Sequence, residues 1–506
     1  MHRVIKKVFF LSVLLACTHT ASAATDVFFN PLTQSAAVAQ NPGHTNEVHS
    51  PWQVPAGVRY SNVTNLHNIE TDPTQSSIRV PGLGSVASMT DMSAFDPTGR
   101  YIFLPHETQY GAGLSRYDSE TDKTINLFQG DMGGAHGDWS HDFGALDPAT
   151  WSPINTLLVG EEWSGQGRLF EVFNPMADVA NGESVVVREL TAVPNVSHEG
   201  LRFNHAGTAL YFVDEDRSGS IYKYVPGVNG DYSNGQSFVL SVDGFDGDPS
   251  INWNVGVNAT SQRTGRASWV PLTDDDGNVL PGIADPFDNV TRGGRAAANS
   301  ANGTPFGRPE DVEVGYLRNG NEVLYFNATS ENAVYSVEEL ADRMARVRMA
   351  ASAATTPYNL GYAPTTGTLS DPDNLAQDAL GNIYVVEDKP NGDDVGGDIW
   401  FLRDADGDGV AESLDHFMSL QVKGAENTGM IFNPTKPTQF IINVQHPEST
   451  SNAINGQGDA TWMIDLSGVV APPCVNHKHK GSVKTCNDSD DVNFVKKLSH
   501  AGGREN

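Results

Sequence analysis

Short runs that alternate between apolar and polar residues recur along the chain, and a turn precedes each run. The recurring phrase is an aromatic or apolar residue, then Asp or Asn with Pro or Gly, then a short β-type run, then polar residues. This pattern predicts a β-strand after each turn. Six copies begin at Phe95, Leu146, Phe203, Arg318, Gln377 and Phe432.

The spacing of the copies predicts the architecture. Successive copies lie about 51, 57, 115, 59 and 55 residues apart, and four of these spacings suit one propeller blade with its loops. The long spacing contains residues 226–305, which are rich in Gly, Asn and Asp and predict a loop insertion. We therefore expect an all-β fold, a six-bladed β-propeller over residues 24–470. Helices are expected to be minor, with the best helical pattern at Val337 to Met349.

The two ends of the chain carry separate signals. Three basic residues, an apolar run and Ala21-Ser22-Ala23 make residues 1–23 typical of a cleavable signal peptide. We expect an exported protein, periplasmic or secreted, with a lipid anchor at Cys17 as the alternative. Beyond residue 23 no apolar run approaches the roughly 20 residues that span a bilayer, so no integral membrane segment is expected. Residues 471–506 form a tail in which Cys474 and Cys486 could close one small disulfide loop.

Charge limits the partners. The chain has 32 Lys and Arg against 62 Asp and Glu, a formal net charge of −30. Nucleic acid is therefore not expected as a partner, and we expect a monomer that acts on a small molecule.

The position of the acidic residues matters more than their number. Several strand-like runs end in Glu or Asp, and equivalent strand ends of a propeller converge on one mouth of its channel. Converging carboxylates repel one another, and cations relieve that repulsion; oxygen ligands favour calcium first, then magnesium or manganese. The simpler alternative is that acidic residues after a strand are turn formers. The runs in question end at His106-Glu107, Glu161-Glu162, Asp214-Glu215-Asp216, Glu387-Asp388 and His446.

A second acidic segment predicts a structural calcium loop. Acidic side chains occupy loop positions 1, 3, 5, 9 and 12, a carbonyl is available at position 7, and Gly409 lies at the sharp turn. The expected ligands are Asp404, Asp406, Asp408, Val410, Glu412 and Asp415.

Arg308 lies among acidic residues in Gly307-Arg308-Pro309-Glu310-Asp311. The arginine could neutralise its neighbours in a salt bridge. Alternatively, its guanidinium could give a fork of donors to a phosphate, whose geometry it matches. The residues alone leave both uses open.

Several of these segments resemble the successive signatures of PhoX-type alkaline phosphatases, in family order over roughly residues 90–465. The resemblance implies a six-bladed propeller with calcium ions and an oxo-bridged pair of irons at the channel mouth, which hydrolyses phosphate monoesters. It implies metal ligands at Glu161, Glu162, Glu199, Asp214, Glu310 and Asp373, with Arg308 and Glu310 in the catalytic machinery. The segments are Val159–Glu162, Ser197–Gly200, Tyr211–Asp214 with Tyr222–Val225, Arg308–Glu313, Asp371–Leu375 and Asn443–Pro447.

Two departures from the family pattern change the expected cofactors. Gly160 stands where the family has its iron-binding cysteine, so an iron centre of the same kind is not expected, although a second metal beside calcium stays open. The leader has Lys6-Lys7 instead of an arginine pair. We expect an exported, calcium-dependent phosphoesterase acting on a small phosphorylated substrate. The alternatives are a calcium-dependent lactonase or esterase, and a non-catalytic binding protein stabilised by calcium.

Overall fold

Antiparallel hairpins follow one another through the part of the chain that the structure describes, as the alternating pattern predicts. The computed structural model describes residues 27–38, 49–65, 89–163, 167–290, 293–388, 395–447, 459–469, 478–479, 482–483 and 497–498. The predicted signal peptide at residues 1–23, with Cys17, and the predicted disulfide between Cys474 and Cys486 lie outside these residues. In the described part of the chain, no helix has the length and apolar character needed to cross a membrane.

The first half of the chain supplies two N-terminal strands and three blades. The N-terminal strands are β1 (Trp52–Gln53) and β2 (Arg59–Asn65). Blade 1 contains β3 (Ala94–Phe95), β4 (Tyr101–Pro105), β5 (Gly113–Asp118) and β6 (Lys123–Gln129). Blade 2 contains β7 (Leu146–Trp151), β8 (Leu157–Glu161), β9 (Leu169–Val172) and β10 (Val187–Glu189). Blade 3 contains β11 (His198–Phe203), β12 (Leu210–Asp214), β13 (Ile221–Val228) and β14 (Asp231–Val242).

The second half supplies the other blades. A linking strand, β15 (Gly265–Pro271), and helix α1 (Gly293–Ser300) precede them. Blade 4 contains β16 (Pro309–Tyr316), β17 (Glu322–Ala328), β18 (Ala333–Glu339) and β19 (Met344–Ser352). Blade 5 contains β20 (Pro372–Gln377), β21 (Ile383–Glu387), β22 (Asp398–Arg403) and β23 (Ser413–Leu420). Blade 6 contains β24 (Glu426–Phe432), β25 (Gln439–Gln445) and β26 (Ala460–Asp465).

Short elements lie outside or between the blades. A small hairpin follows blade 6, formed by β27 (Lys478–His479) and β28 (Ser482–Val483). The 3₁₀ helices span Gly133–His136, Val179–Asn181, Gly256–Thr260 and Thr329–Glu331.

The innermost strands of neighbouring blades pack side by side from β3 through β7, β11, β16 and β20 to β24. Blade 6 then meets blade 1: the side-chain amide of Asn443 donates to the carbonyl of Asp91 (2.7 Å), and Ile441 packs against Phe95 and Ile102. β2 adds to β26 as the fourth strand of blade 6, and β1 adds to β23 in blade 5. This ring of six antiparallel blades confirms the predicted all-β propeller.

Blades 3 and 4 form one continuous nine-stranded sheet, because β15 pairs with β14 on one side and with β19 on the other. The predicted insertion at residues 226–305 therefore includes strand residues as well as loops. β14 is the outer strand of blade 3, and α1 packs Ala297 and Ala298 against the apolar cluster of the same blade.

The helix expected at Val337 to Met349 is wrong. These residues belong to the hairpin of β18 and β19, in which Val337 pairs with Val347. Asp342 and Arg343 both have positive φ (59° and 63°), which reverses the chain within a few residues. The β-branched residues of this segment face a buried inter-blade cluster, and that packing outweighs the local helical pattern.

Residues 27–38 lie against blade 5. Phe29 is fully buried, with ring centroids 4.8 Å from Phe417 and 5.8 Å from Phe401. The backbone N–H of Leu32 donates to the carbonyl of His416 at 2.8 Å. This segment therefore fills part of the core of blade 5.

Replacing Phe29 with alanine should destabilise the protein by about 3–5 kcal/mol, because it leaves a cavity among aromatic rings. Urea unfolding measures the loss. The matched control is Phe173→Ala, since Phe173 is 40% exposed and its removal leaves no cavity. Equal effects of the two substitutions would contradict the docking of residues 27–38.

Candidate metal centre and active site

Each of the six blades has an acidic residue at, or just before, the start of its innermost strand. Innermost strands run along the channel in the same direction, so these starts meet at one mouth. Five of these residues are buried, and Glu426 is partly exposed. We call them the inner ring: Asp91, Asp147, Glu199, Glu310, Asp373 and Glu426.

A second set of polar residues follows the second strand of each blade. The second strand is antiparallel to the first, so its end lies beside the start of the first, at the same mouth. Four of these residues are acidic, and blades 4 and 6 contribute a threonine and a histidine. We call them the outer ring: Glu107, Glu162, Glu215, Thr329, Asp388 and His446.

The backbone departs from regular pairing where the inner-ring acids lie. The register of the first and second strands shifts across Asp147, Glu199, Glu310 and Asp373. Irregularities of this kind redirect a side chain. Here they place carboxylates at the mouth that a regular strand would direct elsewhere.

One hydrogen bond recurs beneath the two rings in five blades. The backbone N–H of the outer-ring residue donates, at 2.8–3.0 Å, to the carbonyl two residues before the inner-ring acid. Four of the accepting residues have positive φ, a strained conformation for residues other than glycine, which clusters at functional sites. The donor–acceptor pairs are Glu107 to Met89, Glu162 to Ala145, Glu215 to Ser197, Thr329 to Arg308 and Asp388 to Asp371.

Burial raises the pKa of nearly every inner-ring carboxyl well above its usual range, and the neighbouring carboxylates raise it further. Glu426 is the exception: burial raises its pKa, but hydrogen bonds from Asp388 and His446 outweigh burial and lower it. In the outer ring, burial raises the pKa of Glu107 to about 7 and that of Asp388 to about 10. Without a cation, burial and mutual repulsion therefore favour the protonated form of these carboxyls.

Three carboxylate oxygens of the inner ring have no hydrogen-bond donor among the described residues: Asp91 Oδ1, Asp147 Oδ2 and Glu310 Oε1. Two groups of three carboxylates each bring oxygens within 4.8 Å of one another, and Glu199 belongs to both. Buried oxygens of this kind fit hard divalent cations, calcium above all. The groups are Asp91, Glu199 and Asp373, and Asp147, Glu162 and Glu199.

Two basic side chains bind ring carboxylates. Arg308 Nε donates to Glu215 Oε1 at 2.6 Å and lies 3.4 Å from Glu310 Oε1. His446 Nε2 lies 2.8 Å from Glu426 Oε1; burial lowers the pKa of His446, but this hydrogen bond outweighs burial and raises it to about 10. Arg308 also keeps about a third of its side chain exposed, at 36%.

The structure brings Glu162, Glu199, Glu310, Asp373 and Arg308 together at the mouth, and their roles as metal ligands and catalytic residues stay predictions. Glu161 and Asp214 lie elsewhere. They precede the outer-ring residues Glu162 and Glu215, and alternate residues of a strand point in opposite directions.

Each of these two carboxylates forms an ion pair with an arginine. Arg168 contacts both oxygens of Glu161, at 2.6 and 2.8 Å, and Arg295 contacts both oxygens of Asp214, each at 2.6 Å. Among the described residues, neither carboxylate belongs to the groups of three whose oxygens lie close enough together to hold a metal ion.

Sequence reasoning missed Asp91, Asp147 and Glu426. Asp147 precedes Pro148, and that pair was interpreted as a turn only. A signal was present, because an acidic residue lies one hairpin before every outer-ring position. Asp91 falls in no copy of the recurring phrase, so only the blade count could have suggested it.

The predicted calcium loop is compact. Asp404, Asp406 and Glu412 bring carboxylate oxygens within 4.8 Å of one another, and Asp404 accepts backbone N–H groups from Gly407 and Gly409 (each 2.8 Å). Asp415 lies away from the loop. It is buried in β23 and paired with Arg403 at 2.8 Å, so its oxygens do not face the loop.

Gly160 has no room for a side chain. A Cβ atom at this position would lie 2.8 Å from His198 Cβ and 2.9 Å from Pro148 Cγ. His198 is fully buried between blades 2 and 3, where it contacts the ring of Phe212. This chain therefore lacks the cysteine sulfur of the resembled family, and the position has no room for a cysteine side chain.

The opposite end of the channel is chemically different. It contains a cavity of about 270 Å³ lined by Trp151, Gln377 and Phe432 together with Arg202 and Glu313. Arg202 and Glu313 form an ion pair (3.2 Å). This cavity thus lies away from the carboxylate rings.

A family model described as alkaline phosphatase PhoX matches residues 159–448, more than half of the chain. The chain belongs to the PhoX family. This match confirms the predicted resemblance and the enzyme class, a phosphoric ester hydrolase. The matched segment includes most of the inner ring, from Glu199 to Glu426. No curated protein matches the chain.

One solved structure supports the fold. PhoX from Pseudomonas fluorescens, in complex with vanadate as a transition state analogue, has a TM-score of 0.58 and 14% identity, covering 87% of this chain and 98% of that chain. A gluconolactonase from Xanthomonas campestris has a TM-score of 0.36 and 13% identity, covering 85% and 99%. Regucalcin, a calcium-binding protein from Agrobacterium tumefaciens, has a TM-score of 0.33 and 13% identity, covering 76% and 92%. These last two similarities are too weak to carry an argument about this PhoX-family chain.

Chelation should lower the melting temperature more at about pH 8 than at about pH 5. The folded metal-free protein favours protonated carboxyls: the pKa of Glu107 is about 7, against an ordinary value of 4.5. Stability is therefore greatest below the ordinary value and is lost as pH rises through 7, where bound cations would relieve the repulsion. Thermal unfolding with chelator and with calcium, at both pH values, measures this. An identical melting temperature in all four conditions would show that the rings need no cation.

Replacing Gly160 with alanine should destabilise the protein by about 1–3 kcal/mol, because the new methyl group overpacks against His198. Denaturant unfolding measures the change. Gly227→Ala is the control, since a Cβ atom there meets nothing closer than 3.7 Å. If Gly160→Ala and Gly227→Ala unfold alike, the space beside β8 is larger than the structure indicates.

Proposed function

We propose that this PhoX-family protein is an exported, calcium-dependent phosphoesterase whose active site is the channel mouth. The observation that carries the proposal is the set of buried carboxylate oxygens without donors beside Arg308, in a chain that belongs to a phosphatase family. Phosphate monoesters are the proposed substrate class. A location in the periplasm or outside the cell accords with the leader at residues 1–23.

The proposed metal ligands are the two carboxylate groups that share Glu199. One consists of Asp91, Glu199 and Asp373, and the other of Asp147, Glu162 and Glu199. Bound cations would supply positive charge for the phosphoryl oxygens and activation of an oxygen nucleophile. Calcium is the first choice because every ligand is an oxygen. The proposed ligands of the separate structural calcium loop are Asp404, Asp406 and Glu412. Asp415 is not proposed for the loop, and Glu161 and Asp214 are not proposed for the mouth, because each is paired with an arginine.

Arg308 is the proposed phosphate-binding residue. Its Nε donates to Glu215 at 2.6 Å, and its backbone carbonyl accepts from the N–H of Thr329, so both the guanidinium and the backbone of Arg308 are held in place. The pKa of Arg308 is raised, chiefly by Glu310, so the guanidinium stays charged. A charged, partly exposed guanidinium at the mouth can bind two phosphoryl oxygens, and Glu310 positions it.

Phosphate release from a chromogenic aryl phosphate tests the proposal. Chelation should abolish activity and calcium should restore it. Arg308→Ala should lower kcat/KM about 10²–10³-fold, the usual effect of removing one group that stabilises transition-state charge, and Arg308→Lys should recover only part of it.

The control is Arg59→Ala, because Arg59 is 68% exposed and pairs with Asp465 on the surface. Its activity should equal that of the wild type. Full activity of the Arg308→Ala variant would remove Arg308 from the site. A folded, calcium-loaded protein that releases no phosphate would refute the phosphoesterase proposal itself.

A further inference from the structure

Three partly exposed aromatic side chains form a cluster above blades 1 and 2, which we call the aromatic corner: Tyr110, Trp139 and Trp163. Their ring centroids lie 5.7 Å apart for Tyr110 and Trp139, 5.8 Å for Tyr110 and Trp163, and 5.2 Å for the two tryptophans. Core aromatic residues of this fold, by contrast, are fully buried. The corner is therefore a surface feature.

The aromatic corner lies on the same face of the propeller as the carboxylate rings. β4 and β8 end at the mouth, and β7 begins there, so the described residues next to these strand ends share that face. Tyr110 follows Glu107 by three residues, and Trp163 directly follows Glu162. Two corner residues are thus covalent neighbours of the outer ring.

Glycines hold Trp139 in place. A Cβ atom at Gly134 would lie 2.6 Å from the Trp139 ring, and one at Gly144 would lie 3.0 Å from it. The indole therefore rests on two positions without side chains. Asp142 links the loops, because its carboxylate accepts the backbone N–H groups of Gly111 and Gly134, each at 2.9 Å.

Arg168 fixes the corner from below. Its guanidinium donates to the carbonyl of Trp139 at 3.2 Å and to that of Asp142 at 2.8 Å. The same guanidinium is paired with both oxygens of Glu161. Glu161 is thus a positioning residue that supports the corner through Arg168.

We propose that the aromatic corner binds a planar aromatic group on the leaving alcohol of the substrate, so that nucleoside monophosphates and aryl phosphates are preferred over alkyl phosphates. This inference rests on the proposed phosphoesterase function. In the reaction the P–O bond to the alcohol breaks, a water oxygen bonds to phosphorus, and the alcohol leaves with a proton. The corner contacts only the leaving part, through stacking on part-exposed, fixed rings, which tolerates many planar groups.

Adenosine 5′-monophosphate and ribose 5-phosphate form a matched pair of substrates, because both leave through the same primary alcohol and differ in the base. Wild-type kcat/KM should be about tenfold higher for the nucleotide, chiefly through KM. In Trp163→Leu and in Tyr110→Leu the ratio should fall toward one. The control is Tyr316→Leu, an aromatic residue 49% exposed at the far end of β16, which should keep the ratio.

A wild-type ratio of one would overturn the inference while leaving the phosphoesterase function standing, and so would an unchanged ratio in both corner variants. If neither substrate is hydrolysed, the proposed function fails, and binding alone tests the corner. Adenosine should then quench tryptophan fluorescence in the wild type and much less in Trp163→Leu. Absence of quenching in the wild type would refute the aromatic corner as a binding site.

Discussion

The carboxylates at one mouth of the channel repel one another, and the rest of the structure must hold them together against that repulsion. Asp91, Asp147 and Glu310 are buried, and each has one carboxylate oxygen without a hydrogen-bond donor among the described residues, so these acids would separate if the backbone allowed it. The propeller prevents separation because each acid starts a strand whose neighbours are fixed on both sides. The recurring bond beneath the rings adds a second restraint at the same point in five blades. A rigid frame of this kind holds in place the carboxylates that we propose as cation ligands.

In two pairs of adjacent acidic residues, the two carboxylates have different structural roles. In Glu161-Glu162 and Asp214-Glu215, the first carboxylate is paired with an arginine inside the protein and the second faces the mouth. Glu387 likewise accepts from Trp400 and from two backbone N–H groups. The period-two geometry of a strand end thus separates structural acids from those available to ligands.

The fold could be predicted because its signal repeats. Six copies of one phrase give the blades, and an error in one copy does not alter the count. The hairpin of β18 and β19 could not be predicted from the local sequence, because the tertiary burial of Val337 and Val347 in the strands outweighs the local helical pattern. The sequence also did not show that arginines pair with Glu161, Asp214 and Asp415. These ion pairs, with Arg168, Arg295 and Arg403 respectively, form only when the sheets fold. The family match adds the reaction class, which no spacing of residues could supply.

The seam of the ring has a consequence for the order of events during folding. β2, from before blade 1, completes blade 6 by pairing with β26, and Asp91 and Glu426 belong to the two blades that meet at this seam. A chain lacking its last blade would carry most of the acidic residues without the closed circle that brings them together. Assembly of the proposed cation site therefore requires that both ends of the propeller sequence have been synthesised and have joined, so a partly synthesised chain would lack the complete set of carboxylates that the proposed metal-dependent reaction needs.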